Sequence, residues 1–137
     1  MYRLPPPELA ASQYVRDLRA RATVFQQILS IDGITASSIC WYRTPAEQHE
    51  LFLHGRSTQG TIITCADAGH SPHNFGLAID FTYTDTRPTR AKSNSPLDHL
   101  IRKAAKQAAL ISGLSFTIFP DRPHIELPGW RKIIALL

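Results

Sequence analysis

The chain has 137 residues, enough for one domain with a substantial core and too few for two. Apolar residues make up 43% and charged residues 19%, which excludes a disordered tail, and the longest aliphatic run, "IIALL" at the C-terminus, is far too short to span a membrane. The net charge of +4 suits an anionic partner such as bacterial cell wall, or simply a solvated basic face; the basic residues are scattered, with no aromatic-interleaved stripe, which argues against nucleic acid.

The N-terminal stretch "MYRLPPPELAASQYVRDLRARA" has no apolar signal-peptide core and breaks early on three prolines. It predicts synthesis in the cytoplasm without a secretory signal. Residues 7–29 read as a helix, because Val15, Leu18, Ala22, Phe25 and Leu29 form one apolar stripe. "DGI" at 32–34 ends it, and "SSICWY" at 37–42 suits a short strand. In "TPAE", Thr44 is a predicted N-cap, Pro45 the first helical position and Glu47 the partner of a capping box. That helix runs to about His54, with Gly55 as its stop. "TIIT" at 61–64 is a predicted strand, "ADAGHSPHN" a loop, "GLAIDFTYT" at 76–84 a strand, and residues 85–95 a polar loop.

Ser95, Pro96 and Asp98 start another helix that carries Leu97, Ile101, Ala104, Ala105 and Ala108 inward and ends near Gly113. "LSFTIF" at 114–119 is a predicted strand, "PDRP" a turn and "HIEL" at 124–127 a final strand. The mixture lacks βαβ regularity, so the expected class is α+β with a mainly antiparallel sheet. Cys40 and Cys65 are too few for a disulfide framework and form no CxxC pair; they are either two buried thiols or a single bridge.

Asp80 stands out. Alternation along its strand puts Leu77, Ile79 and Phe81 on one face and Ala78, Asp80 and Thr82 on the other. His73 lies seven residues earlier, up to roughly 25 Å away in a straight chain, so the two can share an ion only if the chain folds back. Asn74-Phe75-Gly76 has the composition to do so. An imidazole and a carboxylate are two of the three ligands in a catalytic zinc site of two histidines and one carboxylate, and a hydrogen-bonded carboxylate beside a loop histidine is the plainer alternative. "PDRPHIEL" offers a third ligand: Pro123 keeps Arg122 out of helical angles, so Asp121 and His124 flank a tight turn. One could bind metal while the other takes a proton; alternatively, Asp121 caps its own turn and His124 lies on the surface.

"SPHNFGLAID" fits S-x-H-x-x-G-x-A-x-D, and "DRPH" fits a later (D/E)-x-x-H. With "WYRTPAEQHELFLHGRSTQG" upstream, the chain resembles the zinc D-alanyl-D-alanine carboxypeptidase and L-alanyl-D-glutamate endopeptidase family, which includes phage endolysins and has a hedgehog-type fold. The likeness is close over 41–81 and looser over 113–127. It implies a single peptidoglycan metallopeptidase domain over 1–137, with a small antiparallel sheet flanked by helices and a zinc cleft on one face. It implies His73, Asp80 and His124 as zinc ligands and Asp121 as general base. Arg43 would steady an oxyanion or bind a substrate carboxylate, Gln48 would hold the substrate backbone or support Arg43, and Ser71 would contact substrate or back the metal ligands.

The plainer readings are a salt bridge to Glu47 for Arg43, a helix-surface position for Gln48 and a loop cap for Ser71. His70 reads as a loop residue, and His49, His54 and His99 as solvated positions on helices. The chain lacks the tryptophan and glycine that many relatives carry before the last motif, so Phe119 or Trp130 would wall the cleft. The implied activity is cleavage of the L-Ala–D-Glu bond of stem peptides. A D,D-carboxypeptidase is the alternative, and a zinc-containing cell-wall binding module without turnover is another. An iron oxygenase is disfavoured by the His–Asp spacing. The implied partner is peptidoglycan, met by a monomer that enters no membrane; without a signal peptide, it would reach the wall through a holin-like pore, as a phage enzyme or a host protein, or as a secreted effector.

Overall fold

The computed structural model describes residues 3–137. The first helical pattern is two helices rather than one. α1 (Pro7–Ala10) is a single turn, and α2 (Gln13–Ile31) starts afresh after Ser12, whose hydroxyl accepts from the Tyr14 amide. A serine that offers its own oxygen to the backbone interrupts the helical ladder in this way. Val15, Leu18, Ala22, Phe25 and Leu29 of α2 are all buried, as their spacing predicts.

β1 (Ile34–Cys40) begins earlier than expected and stops before Trp41 and Tyr42. It pairs antiparallel with β2 (Ala78–Asp85). β2 pairs with β4 (His124–Glu126) and β4 with β3 (Ile111–Ser112), also antiparallel, giving the order β1-β2-β4-β3. The architecture is α+β, as expected. Phe25 of α2 packs on Phe81 of β2 with ring centroids 5.4 Å apart. Ile34, Ile79, Ile101 and Ile125 are buried in the same core. Each such side chain contributes roughly 1.5–3 kcal/mol by leaving water, which secures β2 as the strand on which the site is built.

α3 (Pro45–Leu53) has the predicted capping box: the Glu47 amide donates to Thr44 Oγ1 at 3.1 Å, and the Thr44 amide donates to Glu47 Oε1 at 3.0 Å. Residues 61–64 form no strand. Their backbone finds no ladder, and Ile62 and Ile63 stay exposed beside a cleft. The expected loop 85–95 contains α4 (Thr89–Asn94), closed by Arg87, which grips Asp85 and donates to the Ser95 carbonyl.

α5 (Leu97–Gln107) buries Ile101, Ala104 and Ala105 as predicted, but Pro96 is its N-cap and no side chain caps it. It ends well before Gly113, where Ala109 turns left-handed (φ 56°) and its carbonyl accepts from Arg21 Nη1 at 2.7 Å. Residues 114–119 are not a strand. The Ser112 hydroxyl accepts from the Leu114 amide, and the Ser115 hydroxyl donates to the Ser112 carbonyl, closing a 3-10 turn over Gly113–Ser115. A last helix, α6 (Trp130–Ile134), was not foreseen; buried Trp130 anchors it.

Candidate metal centre

Asp80 sits on the middle strand of a three-residue rung, with Cys40 opposite it on β1 and His124 opposite it on β4. His73 reaches the same rung from a 3-10 turn, Pro72–Phe75, capped by the Ser71 hydroxyl. Gly76 reverses the chain at φ +71°, a conformation that costs a side-chain-bearing residue energy, and a Cβ there would also press on Pro5. The reversal returns the chain, as sharing an ion would need, and brings His73 Nε2 to 3.1 Å from Asp80 Oδ1.

Each imidazole is oriented from behind. His73 Nδ1 lies 2.8 Å from the Trp41 carbonyl, so that nitrogen carries the proton and Nε2 faces Asp80. His124 Nε2 lies 2.8 Å from Glu126 Oε1, which leaves its Nδ1 facing Asp80 Oδ1 at 3.5 Å. The trio expected from the sequence is thus gathered around one carboxylate, with the two imidazole rings 5.1 Å apart. Donor atoms fall into two tighter overlapping groups. Those of Cys40, His73 and Asp80 lie within 4.8 Å of one another, and so do those of Asp80, Asp121 and His124.

The electrostatics point the same way. The His73 imidazole is raised to about 9: burial acts to lower it, and hydrogen bonds to Asp80 and Cys40, with the Asp80 charge, more than offset that. Burial also opposes protonation of His124, yet hydrogen bonds to Asp80 and Glu126 carry it upward. Burial would raise Asp80, but its bonds to His124 and His73 hold it well below the usual carboxylate range. All three shifts favour positive charge at the centre of the cluster. With a cation in place of those protons, two imidazole nitrogens and one carboxylate oxygen, each backed by a second partner, fit a divalent ion that prefers mixed nitrogen and oxygen ligands.

Asp121 lies beside the cluster, half-buried. Its amide donates to the Gly113 carbonyl at 2.9 Å, and its own carbonyl accepts from the His124 amide at 3.2 Å. Burial, then the Asp80 charge, pushes its carboxyl up, which makes it a better proton acceptor. Arg43 does not pair with Glu47, which is held by Arg3 instead. Arg43 Nη1 donates to Gln48 Oε1 at 2.8 Å, while its Nη2 lies 3.4 Å from Cys40 Sγ and 3.7 Å from Asp80 Oδ2. Gln48 is not a surface residue. It is fully buried, and its Nε2 donates to the Ala66 carbonyl at 2.7 Å. Ser71 is buried as the cap of the His73 turn and also lines the cleft.

The cluster forms the floor of an open cleft of about 1080 Å³. Phe119 and Trp130 both line it, and Phe116, which the sequence did not single out, packs its ring 5.4 Å from that of His124. His49, His54, His70 and His99 are exposed. Cys40 is half-buried, Cys65 is exposed, and both are free thiols, so the single bridge does not form. Burial raises the Cys40 thiol, but the hydrogen bond and charge of His73, and then Arg43, bring it below its ordinary value.

Glu126 was missed. It is buried and joins His124 to Trp130, whose indole N–H donates to Glu126 Oε2 at 2.8 Å. The spacing H-x-E on a strand carries the signal, since it places both side chains on one face.

Comparison with known proteins bears on what such a cluster serves. The chain is 34% identical over 94 residues to the peptidoglycan L-alanyl-D-glutamate endopeptidase CwlK of Bacillus subtilis (strain 168); the match spans 63% of this chain and 56% of that relative. The chain thus spans little more than half the length of the curated relative it matches. Among solved structures, it is similar to the L-Ala D-Glu endopeptidase ChiX of Serratia marcescens, with TM-score 0.51 and 20% identity over 89% of this chain and 90% of that one. A second is the vancomycin resistance D,D-pentapeptidase VanY in complex with Zn(II), with TM-score 0.57 and 16% identity over 87% and 75%. A third is the LdcB LD-carboxypeptidase, with TM-score 0.59 and 18% identity over 98% and 72%. At these identities the structures attest the fold, and it is the expected one. The sequence model of VanY, D-alanyl-D-alanine carboxypeptidase, matches residues 12–118. With most of its length matched by that model, the chain belongs to the VanY D-alanyl-D-alanine carboxypeptidase family.

Proposed function

We propose that this chain is a zinc-dependent peptidoglycan hydrolase that cleaves the L-Ala–D-Glu bond of stem peptides. The observation that carries the reading is the gathering of His73 and His124 around Asp80, with Asp121 beside them, on the floor of an open cleft. The Zn(II) complex of the VanY relative and the activity of CwlK support zinc and this bond, respectively.

His73, Asp80 and His124 would hold the ion. Zinc bound there would lower the pKa of a water and polarise a peptide carbonyl. The protein's own groups supply the rest. Asp121 takes the proton of the attacking water and returns it to the leaving amine. Arg43, its fork fixed by Gln48, meets the negative charge that develops on the carbonyl oxygen or holds a substrate carboxylate. Glu126 and the Trp41 carbonyl keep the two imidazoles in the tautomers that metal binding needs. The excess of positive charge favours acidic stem peptides. Every group named comes from one chain, so a monomer suffices. Among the described residues no helix is long and apolar enough to cross a membrane.

The matching family is described by D,D-carboxypeptidase activity, which makes that the second reading. Digestion of purified peptidoglycan, with new termini identified by mass spectrometry, separates the two. New C-terminal L-Ala and N-terminal D-Glu are expected. Release of D-Ala alone would replace the endopeptidase reading, and zinc binding without any cleavage would leave only a binding module.

A further inference from the structure

The antiparallel register of β1 and β2 pairs Ile34 with Asp85 and Ser38 with Phe81. Continued without interruption, it would set Cys40 opposite Ile79, on the face that packs the core. A bulge between Ser38 and Cys40 shifts the register by one residue and sets Cys40 opposite Asp80. A bulge re-aims a side chain in this manner, and here it brings the half-buried Cys40 thiol alongside Asp80.

The consequence is a donor cluster with two chemically different ends that share Asp80. At one end the donors are Cys40 sulfur, His73 nitrogen and Asp80 oxygen; at the other they are Asp80 and Asp121 oxygens and His124 nitrogen, each group lying within 4.8 Å. Sulfur selects soft cations, whereas carboxylate oxygens select hard ones.

We propose that Cys40, His73 and Asp80 form a soft-metal site for cations such as Cd2+. This site overlaps the zinc position through His73 and Asp80, so that occupying it excludes zinc. The inference rests on the zinc reading above, because the two ions compete for shared ligands. The Cys40 thiol loses its proton to solvent as the metal–sulfur bond forms. Arg43 Nη2, 3.4 Å from the sulfur and 3.7 Å from Asp80 Oδ2, sets a threshold. An arriving cation meets like charge there, so only an ion that bonds strongly to sulfur is favoured at this end. Zinc, being borderline, stays with His124.

The test is titration of the metal-free protein with Cd2+, read as thiolate-to-cadmium charge-transfer absorbance and as the 113Cd chemical shift. Wild type and Cys65→Ser are expected to show the charge-transfer band and a sulfur-shifted cadmium resonance, and Cd2+ should displace bound Zn2+. Cys40→Ser should lose the band and bind Cd2+ about tenfold or more weakly, the scale on which even outer partners of a metal ligand act. Zn2+ affinity should change much less. Stoichiometric Cd2+ binding by wild type with no sulfur signature would overturn the inference and leave the zinc reading intact. A band that disappears in Cys65→Ser instead would also overturn it. If neither Zn2+ nor Cd2+ binds, both readings fail. If Cys40→Ser does not fold, the Cys65→Ser spectrum decides: a retained band assigns the sulfur to Cys40, and a lost band overturns the inference.

Discussion

His124 and Glu126 are joined at 2.8 Å across one face of β4, and the same carboxylate receives the indole N–H of Trp130 at 2.8 Å. A buried carboxylate with no Lys or Arg partner among the described residues is costly unless its charge serves something. Here it fixes which nitrogen of His124 faces Asp80. Glu126→Gln is expected to bind zinc about 10–100-fold more weakly, with little change in far-UV circular dichroism. Trp130→Phe, which removes one of the two donors, should fall between that variant and wild type. Competition against a coloured chelator measures both.

Arg43 is anchored by Gln48, and Gln48 by the Ala66 carbonyl. Lysine cannot reproduce a planar fork that meets Gln48 and the cleft together. Arg43→Lys is expected to lower kcat by about a hundredfold, the scale of losing one oxyanion donor, while zinc affinity stays near wild type. Steady-state kinetics on a defined stem peptide, together with a zinc titration, checks both halves.

Gly113 touches the turn that carries the proposed base. A Cβ at that position would lie 2.1 Å from the Asp121 carbonyl oxygen and 3.0 Å from His124 Cβ. Gly113→Ala must therefore displace the segment 121–124. A loss of about 1–3 kcal/mol is expected from overpacking, measurable by urea denaturation, and zinc affinity should fall with it. Unchanged stability and affinity would show that the turn can move without cost.

Asp85 and Arg87 form a two-pronged ion pair, with Nε–Oδ1 at 2.9 Å and Nη2–Oδ2 at 2.8 Å. The Arg87 hydrogen bonds hold the Asp85 carboxyl down at about 2, against its ordinary 3.8. A carboxyl depressed in the folded state stabilises the protein above its unfolded pKa, and that stabilisation is lost as pH falls through the folded value. Asp85→Asn should therefore be less stable than wild type at neutral pH, and the gap should close as pH falls from 3.8 towards about 2. Urea midpoints measured across that interval test the sign.

Much of this was legible in the sequence, for identifiable reasons. The α2 stripe, the Thr44 capping box and the alternation around Asp80 are local patterns, and the structure follows them. The grouping of His73, Asp80 and His124 was implied by the family resemblance of "SPHNFGLAID" and "DRPH", and a chain reversal between the first two was needed if they were to share an ion. The failures are also physical. Residues 61–64 and 114–119 have strand-like composition but no partner edge, and serines at 112 and 115 divert the second segment into a turn. The burial of Gln48 depends on a carbonyl eighteen residues downstream. The approach of Cys40 to Asp80 depends on a bulge, and no residue pattern in β1 announces one.

β4 is only three residues long, and it holds the segment from His124 to the C-terminus against β2 by three paired positions. The last of these positions is Asp80 with His124 itself. An ion shared by those two side chains would therefore act as a removable staple at the open end of the ladder. Local opening of the C-terminal segment and metal release then become one equilibrium. Chelation should speed amide exchange at Ile125 and Leu127 while leaving α2 and the β1–β2 pairing protected, so loss of the ion would be felt first as a loosened C-terminus and only later as global unfolding.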